Sequence, residues 1–342
     1  MKIKNTYDFG QSTIKDSNQV NFSLDFSEKD DFSSIRDAYA YYLKKIILKN
    51  KKYFLLDADL GTVAKTNNLK KITKKRYIQV GIAEQNLIGI AGGIAQFGMT
   101  PIVQSLAVFL TGRAFDQIRE SICYSNLNVK LVGLHSGMTL SPDGATHQTG
   151  EDLALMSSLP NIEIYSPADS HQLKLLLPEF LKSKKPGYLR LFFPKAKTIT
   201  KKVKYNHQKI QVIKKLQKIN IISYGYMLQN SMEACEELEV KGINCGLINI
   251  HSIKPLDIKG ILEINKKSKI IVVVEDHNQF GGLGSMISQI ISEKKPNKIL
   301  SINTGDKFGK TGLPEENLNY LGLSTKKIVK TILKYYNEKK KL

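Results

Sequence analysis

The sequence contains no tryptophan and only three cysteines among its 342 residues. Cys123, Cys235 and Cys245 are odd in number and follow no spacing pattern, which excludes a disulfide framework and a cysteine-based metal site. Sparse thiols are typical of a reducing compartment, so we expect a cytoplasmic location. No apolar run reaches the ~18 residues of a membrane helix, and the first twenty residues lack the apolar core of a secretory signal. We therefore expect no membrane association.

Arginine is also scarce, because only five of the 51 basic residues are arginines and the net charge of +20 comes almost entirely from lysine. The lysines are spread along the chain, with a cluster at 195–218, and no basic motif is interleaved with aromatic residues. We therefore expect no nucleic-acid binding, despite the charge. Lysine serves well on an ordinary surface, so arginine marks places where a planar fork grips carboxylate or phosphate. The arginines are Arg36, Arg76, Arg113, Arg119 and Arg190.

Short apolar strands alternate with amphipathic helices through most of the chain, which predicts an α/β fold with parallel sheets. One such unit spans 31–193 and a second spans 219–342. The lysine-rich segment 194–218 breaks the alternation and is predicted to be the linker. Residues 1–30 are polar and aperiodic, so we interpret them as an N-terminal extension. The strands predicted for the first unit begin near residues 53, 77, 101, 128, 162 and 187.

Polar side chains follow the predicted strands of the first unit at the points where those strands end. Ligands of open α/β sheets bind at this edge. The loop 135–150, HSGMTLSPDGATHQTG, is long for a segment without secondary structure, which favours a functional role. Its two histidines are suited to acid–base chemistry, although hydrogen bonding within the loop is an equally open interpretation. The polar residues in question are Asp57, Asp59, Glu84, His135, Asp143, His147 and Arg190.

One carboxylate, Glu84, interrupts the apolar and glycine-rich stretch RYIQVGIAEQNLIGIAGGIAQFG. A helix that begins near it places Leu87, Ile88 and Ala91 on the face of Glu84. Glu84 is then either a helix-start acid stabilised by the helix dipole or a buried carboxyl with a raised pKa that hydrogen-bonds a basic ring nitrogen. The spacing alone favours the first interpretation.

Three motifs occur in a fixed order: VGIAEQNLIGIAGGIAQFG, SLAVFLTGRAFDQIR and HSGMTLSPDGATHQTGEDLALM. Over about residues 34–193 they closely resemble the C-terminal half of transketolases. The second unit, with HSIKPLD and VVEDHNQFGGLGS, resembles the C-terminal domain of that family. The resemblance implies a pyrimidine-binding domain for thiamine diphosphate at 31–193 and a transketolase C-terminal domain at 219–342.

The resemblance also implies cofactor-binding residues. Glu84 matches the glutamate that hydrogen-bonds the aminopyrimidine of thiamine diphosphate and thereby promotes formation of the carbon nucleophile. Phe109 resembles the aromatic residue that stacks on this ring, and a plain core position is its alternative. Phe115 is expected to complete the aromatic wall, since Gly112 stands where a second phenylalanine is common. Asp59 resembles the aspartate that supports the cofactor across the dimer.

Further residues match the substrate-binding positions of the family. His147 resembles the histidine near the substrate oxygen, which implies a proton shuttle, and Asp143 resembles the aspartate that binds a sugar hydroxyl. His135 resembles the histidine at the sugar-phosphate end. Arg36 and Arg190 resemble the pair that clasps the substrate phosphate.

Two departures from the family pattern affect these expectations. Asp57 stands where transketolases often have a serine near the phosphate, and an anion there would repel phosphate. The Gly-Asp-Gly segment with which the family holds Mg²⁺ is missing, because TGDKFGKTG at 304–312 lacks the second glycine, and we interpret it as a surface loop. We therefore expect the C-terminal subunit of a split transketolase that acts on sugar phosphates. A separate N-terminal subunit would hold the diphosphate and Mg²⁺ in an α2β2 heterotetramer.

Two related enzymes use the same half-site and stay open as alternatives. They are the β subunit of a 2-oxo acid dehydrogenase decarboxylase and a deoxyxylulose-phosphate synthase-like enzyme. The DGATHQ loop disfavours the first, and the lack of an N-terminal half disfavours the second. A third alternative is a non-catalytic basic binding protein, which Glu84, His135 and His147 together disfavour.

Overall fold

The computed structural model describes residues 32–340, so the predicted extension at 1–30 lies outside the described residues. The chain forms two α/β units in sequence, which confirms the predicted fold class. The first unit has strands β1 (Tyr53–Asp57), β2 (Tyr77–Gln79), β3 (Thr100–Leu106), β4 (Lys130–Leu134), β5 (Glu163–Tyr165) and β6 (Gly187–Leu191). Its helices are α1 (Ile35–Lys49), α2 (Asn67–Thr73), α3 (Glu84–Gln96), α4 (Phe115–Gln117), α5 (Asp152–Ser158) and α6 (Ser170–Lys182).

The second unit repeats the alternation. Its strands are β7 (Gln211–Lys214), β8 (Ile219–Ser223), β9 (Cys245–Asn249), β10 (Ser252–Lys254), β11 (Ile270–Val274) and β12 (Lys298–Ile302). Strand β7 lies within the predicted linker 194–218 and pairs with β9 of the second sheet. Its helices are α7 (Met227–Val240), α8 (Ile258–Lys267), α9 (Leu283–Lys294), α10 (Pro314–Tyr320) and α11 (Thr325–Lys340). None of the helices in the described part of the chain has the length and apolar character needed to cross a membrane.

The first sheet has the strand order β10-β5-β6-β4-β3-β1-β2, and the second has the order β12-β11-β8-β9-β7. All neighbouring strands are parallel except β10 with β5 and β7 with β9. The central strands β3, β4 and β6 are buried at every position, as expected for parallel strands that helices cover on both faces. The carboxyl ends of the parallel strands lie at one edge of the sheet, and the predicted polar residues at this edge come from β1, β2 and β4.

The first helix of the first unit begins with a capping serine. Ser34 caps α1 by accepting a hydrogen bond from the backbone N–H of Asp37 at 3.4 Å, as a serine does at this position. Ile35, Ala38 and Tyr42 lie on one face of α1 and are buried. The segment after β3 is not a regular helix, because π-helical turns at Phe109–Arg113 and Ile118–Tyr124 flank the short α4.

Strand β10 links the two units and was not predicted. It belongs to the second unit in sequence but pairs antiparallel with β5 at the edge of the first sheet. The backbone N–H of Ser166 donates to the carbonyl of His251, just before β10, at 2.8 Å. His251 is fully buried, and neither of its ring nitrogens has a hydrogen-bond partner among the described residues. Burial, reinforced by the nearby His207, lowers the pKa of His251 from 6.5 to about 4.

This burial makes the junction sensitive to acid. Between pH 6.5 and about 4, His251 is protonated in the unfolded chain but neutral in the folded chain, so the free energy of unfolding falls as the pH is lowered through this range. We predict that His251→Gln reduces this dependence by up to about 1.4 kcal/mol per pH unit. Denaturant titrations from pH 4 to pH 8 measure it. Parallel stability curves for the variant and the wild type over this range would contradict the prediction.

Candidate active site

Glu84 lies at the first position of α3 and is only 4% exposed. Leu87, Ile88 and Ala91 are fully buried, so the predicted apolar face of this helix is confirmed. The Oε2 atom of Glu84 lies 3.4 Å from Nη1 of Arg113, which is half-exposed. The carboxylate is therefore buried beside one cation that reaches solvent.

Phe109, which the sequence also predicted as a site residue, lies next to Arg113. Its half-buried ring packs against the core, lies 5.1 Å from the imidazole of His147 in an edge-on arrangement, and lies 3.9 Å from Cζ of Arg113. Arg113 therefore links the Glu84 carboxylate to the Phe109 ring, and His147 packs against the same ring. Glu84 and Phe109 together offer a carboxylate acceptor and an aromatic face, which suits a planar basic ring such as an aminopyrimidine.

Phe115 and Asp59 are less closely tied to this group. Phe115 is half-buried and packs against the core cluster that contains Leu87 and Ile118, so its place in an aromatic wall remains a prediction. Asp59 is exposed in a left-handed backbone conformation with φ 63°. The Gln79 amide holds it there, because Nε2 donates to Asp59 Oδ1 at 3.2 Å and Oε1 accepts from the Asp59 backbone at 2.9 Å.

His135 and Arg36 form a second group with Phe193, which the sequence did not identify. The Phe193 ring lies 4.8 Å from the ring of His135 and 5.1 Å from Cζ of Arg36. His135 is 5% exposed, and burial followed by the charge of Arg36 lowers its pKa to about 3, so its imidazole is neutral. Among the described residues, the two ring nitrogens of His135 have no hydrogen-bond partner, and the Nε atom of Arg36 has none either. Buried polar groups of this kind are ordinarily satisfied, so the group is suited to a polar ligand.

The loop 135–150 carries one histidine of each group, and it is held from the second unit. The backbone N–H of Gly312 donates to the Ser141 carbonyl at 3.2 Å, and the Gln148 amide donates to the Lys310 carbonyl at 3.1 Å. The segment 304–312 is largely exposed, which agrees with its interpretation as a surface loop, and it also supports the loop 135–150. Asp143 is exposed near the tip of the supported loop, as a residue that contacts substrate must be.

Arg190 departs from its expected position. It is 2% exposed, and its guanidinium contacts Asp152 at 2.8 Å and Asp276, from the second unit, at 2.9 Å. Burial opposes its charge, but these two carboxylates outweigh burial and hold the pKa of Arg190 well above its usual range. A guanidinium so enclosed does not reach a substrate phosphate. The geometry therefore argues against the predicted role in substrate binding and assigns Arg190 to a clamp between the two units.

Asp57 also has internal partners. It is 1% exposed and accepts hydrogen bonds from the Tyr77 hydroxyl and from the backbone N–H of Leu60, each at 3.0 Å. Burial raises the pKa of its carboxyl, and these hydrogen bonds oppose the shift. The residue thus shapes the turn after β1, and its repulsion of a substrate phosphate is weaker than the sequence suggested.

The residues that sequence reasoning missed are those whose partners lie far away in the chain. Arg113 carried one signal, the scarcity of arginine, but nothing in the sequence pointed to its contacts. No sequence pattern pointed to Phe193 or Asp276. In the described residues, no group of three or more His, Cys, Asp and Glu side chains is placed to hold a metal ion.

Comparison with known proteins agrees with this architecture. Residues 33–199 match the family described as transketolase, pyrimidine binding domain, and residues 208–328 match transketolase, C-terminal domain. The chain is 32% identical over 297 residues to the 6-deoxy-6-sulfo-D-fructose transketolase subunit SqwH of Clostridium sp. strain MSTE9, covering 86% of this chain and 92% of that protein. It is 34% identical over 312 residues to the putative transketolase C-terminal section of Methanocaldococcus jannaschii, covering 88% and 96%.

A solved structure extends the comparison. A split gene transketolase, described as an inactive β4 tetramer, is similar with a TM-score of 0.79 and 34% identity over 88% of this chain and 97% of that one. The two α/β units of this chain correspond in order to the pyrimidine-binding and C-terminal domains of transketolases. The chain belongs to the transketolase family, which confirms the recognition made from its motifs.

The Arg190 clamp leads to a prediction about stability and pH. Arg190→Met keeps the aliphatic bulk but leaves Asp152 and Asp276 buried without their cation, so we expect a loss of about 3–5 kcal/mol in the free energy of unfolding. The two carboxyls then bind protons more readily in the folded chain than in the unfolded chain. Stability therefore decreases as the pH rises, and the loss is larger at pH 8 than at pH 5.

Denaturation followed by circular dichroism measures this loss. Glu263→Gln is a suitable control, because it removes an exposed ion pair with Lys266, a type worth about 0–1 kcal/mol. A stable Arg190→Met protein whose only defect is a raised KM for a phosphorylated sugar would restore the substrate-binding role.

Proposed function

We propose that this chain is the C-terminal subunit of a two-subunit transketolase that transfers a two-carbon ketol unit between sugars, including sugar phosphates. The observation that carries the proposal is the grouping of the buried Glu84 carboxylate with the Phe109 ring and the His147 imidazole. Thiamine diphosphate, when bound, would supply the nucleophilic carbon and the electron sink for this transfer. The three buried cysteines, unpaired in the structure, support a reducing cytoplasmic setting.

Different residues of this chain serve the cofactor and the substrate. Glu84 would hold the pyrimidine ring through a hydrogen bond from its carboxylate, and Phe109 would orient the ring with its aromatic face. His147, half-buried beside Phe109, moves a proton at the substrate oxygen. Asp143 accepts a hydrogen bond from a sugar hydroxyl.

Arg36 and His135 hold the far end of the substrate, where their unpartnered polar atoms provide hydrogen bonds. Arg36 supplies the positive charge for a phosphate, and the neutral His135 supplies a donor. Asp59, exposed after β1, would support the cofactor across the subunit interface. An N-terminal transketolase subunit in an α2β2 assembly would hold the diphosphate and Mg²⁺.

A glycine-rich face of α3 supports assembly with other transketolase subunits. Cβ atoms added at Gly89 and Gly93 would meet nothing within 4 Å in this chain, and these positions are exposed. Ile82 and Phe97, at the two ends of the helix, are 75% and 85% exposed. Large apolar side chains beside bare glycine backbone suit the close approach of a second helix. The relatives that this chain matches over nearly their whole length include a transketolase subunit and a C-terminal section.

The proposed role of Glu84 predicts a catalytic defect without a folding defect. We expect Glu84→Gln, assembled with the N-terminal subunit, to lose about 10²- to 10⁴-fold in ketol transfer, the usual contribution of a positioned acid–base group. A coupled assay of two-carbon transfer between sugar phosphates measures the loss.

Glu120→Gln is the matched control, because Glu120 is exposed and pairs only with the exposed Arg119 among the described residues. Equal activities of Glu84→Gln and the wild-type complex would contradict the proposed function. So would full turnover by this chain without a partner, since that would remove the need for a second subunit.

The α3 face predicts an assembly defect. A Cβ at position 93 meets no atom of its own chain within 4 Å, and Gly93→Leu replaces a weak helix former with a strong one, which favours α3 by about 1 kcal/mol. We therefore expect a folded chain that no longer assembles with other subunits, as measured by light scattering after size exclusion. Glu236→Leu adds the same apolar bulk on an exposed face of α7 and should leave assembly intact. An unchanged molar mass for Gly93→Leu would place the subunit interface elsewhere.

A further inference from the structure

Arg113 holds the two groups that the proposed cofactor site depends on. Its Nη1 atom lies 3.4 Å from Oε2 of Glu84, and its Cζ lies 3.9 Å from the centre of the Phe109 ring. The guanidinium is flat and rigid, and it combines stacking on aromatic faces with hydrogen bonding to carboxylates. In this chain it does both at once.

The backbone around Arg113 is unusual in the same place. Phe109 and Arg113 are the first and last residues of one π-helical turn. Such turns are rare and occur frequently at functional sites. Gly112, just before Arg113, has nothing within 4 Å of an added Cβ, so the turn is open on that side. The distortion therefore places the guanidinium in an open position between the aromatic face and the carboxylate.

An aminopyrimidine requires the same two partners. It is a flat ring that would stack on Phe109 and hydrogen-bond Glu84, and two flat groups cannot occupy that position together. We propose that Arg113 is a displaceable occupant of the pyrimidine position, which fills the site in the cofactor-free chain and moves into solvent when the ring enters. The inference rests on the proposed function, because it takes Glu84 and Phe109 as pyrimidine-binding residues.

Burial and charge explain why such an occupant is useful. Glu84 is 4% exposed, and burying a carboxylate without a partner costs free energy. Arg113 supplies that partner while remaining 52% exposed, so it can leave without opening the core. The contact that stabilises the isolated chain therefore competes with the cofactor. Cofactor binding becomes strong only when further contacts, such as those from a second subunit, outweigh the competition.

Thiamine tests the competition, because it carries the pyrimidine ring but no diphosphate. Titration of thiamine into the full chain, by calorimetry or ligand-observed NMR, gives its dissociation constant. We expect Arg113→Ala to bind thiamine about threefold to tenfold more tightly than the wild type, since stacking and ion-pair contacts of this kind correspond to such factors. Arg113→Lys keeps the charge without the flat fork and should be intermediate.

Arg119→Ala is the matched control, since Arg119 is exposed in the next π-helical turn and pairs with Glu120; its thiamine affinity should equal that of the wild type. Circular dichroism verifies that each variant is folded. Equal or weaker binding by Arg113→Ala would overturn the proposal, as would the absence of thiamine binding in both chains. If the assembled complex still requires thiamine diphosphate and transfers ketol units in those cases, the proposed function stands and only the role of Arg113 fails.

Discussion

The ion pair of Arg190 with Asp152 and Asp276 is the interaction on which the rest of the structure depends. It joins β6 of the first sheet to the start of α5 and to the segment just after β11 in the second unit. All three side chains are almost fully buried. A charge among them that loses its partner therefore carries a large desolvation penalty. The two units therefore cannot separate without exposing or stranding charge, and this fixes their relative placement.

The same clamp shapes the loop that carries His135 and His147. Gly137 has φ +77°, and a Cβ at this position would collide with the Asp276 carboxylate. Only glycine therefore allows the loop to lie this close to the ion pair. The backbone of Asn278 donates to the Gly150 carbonyl at 2.7 Å on the far side of the loop. The second unit, which contributes no residue to the proposed chemistry, thus holds the loop at both ends. A catalytic loop supported from a second domain keeps its geometry without regular secondary structure.

The contrast between Glu84 and Arg190 shows what the sequence can predict. The burial of Glu84 followed from a 3.6-residue period, because local spacing decides which side of a helix a residue faces. Arg190 lies on a strand whose neighbours are also buried, and its partner Asp276 is 86 positions away, so no local pattern reveals the pairing. The distorted turns at Phe109–Arg113 escaped prediction for a related reason: a π-turn shifts the helical period by one residue, and a short segment does not disclose the shift. Family resemblance supplied the motif positions, but it did not supply the contacts.

The two ends of the candidate site handle their buried polar groups in opposite ways. At the Glu84 end, the carboxylate is paired with a half-exposed arginine, so a ligand of Glu84 must compete with that ion pair. At the His135 end, the imidazole nitrogens and the Nε of Arg36 have no partner among the described residues, so a ligand that hydrogen-bonds there gains affinity by satisfying them. In the proposed enzyme, the substrate would gain contacts at the His135 end, and the cofactor would face competition at the Glu84 end. This division fits an enzyme in which the cofactor is secured by assembly with a second chain, while the substrate is recognised by residues of this chain.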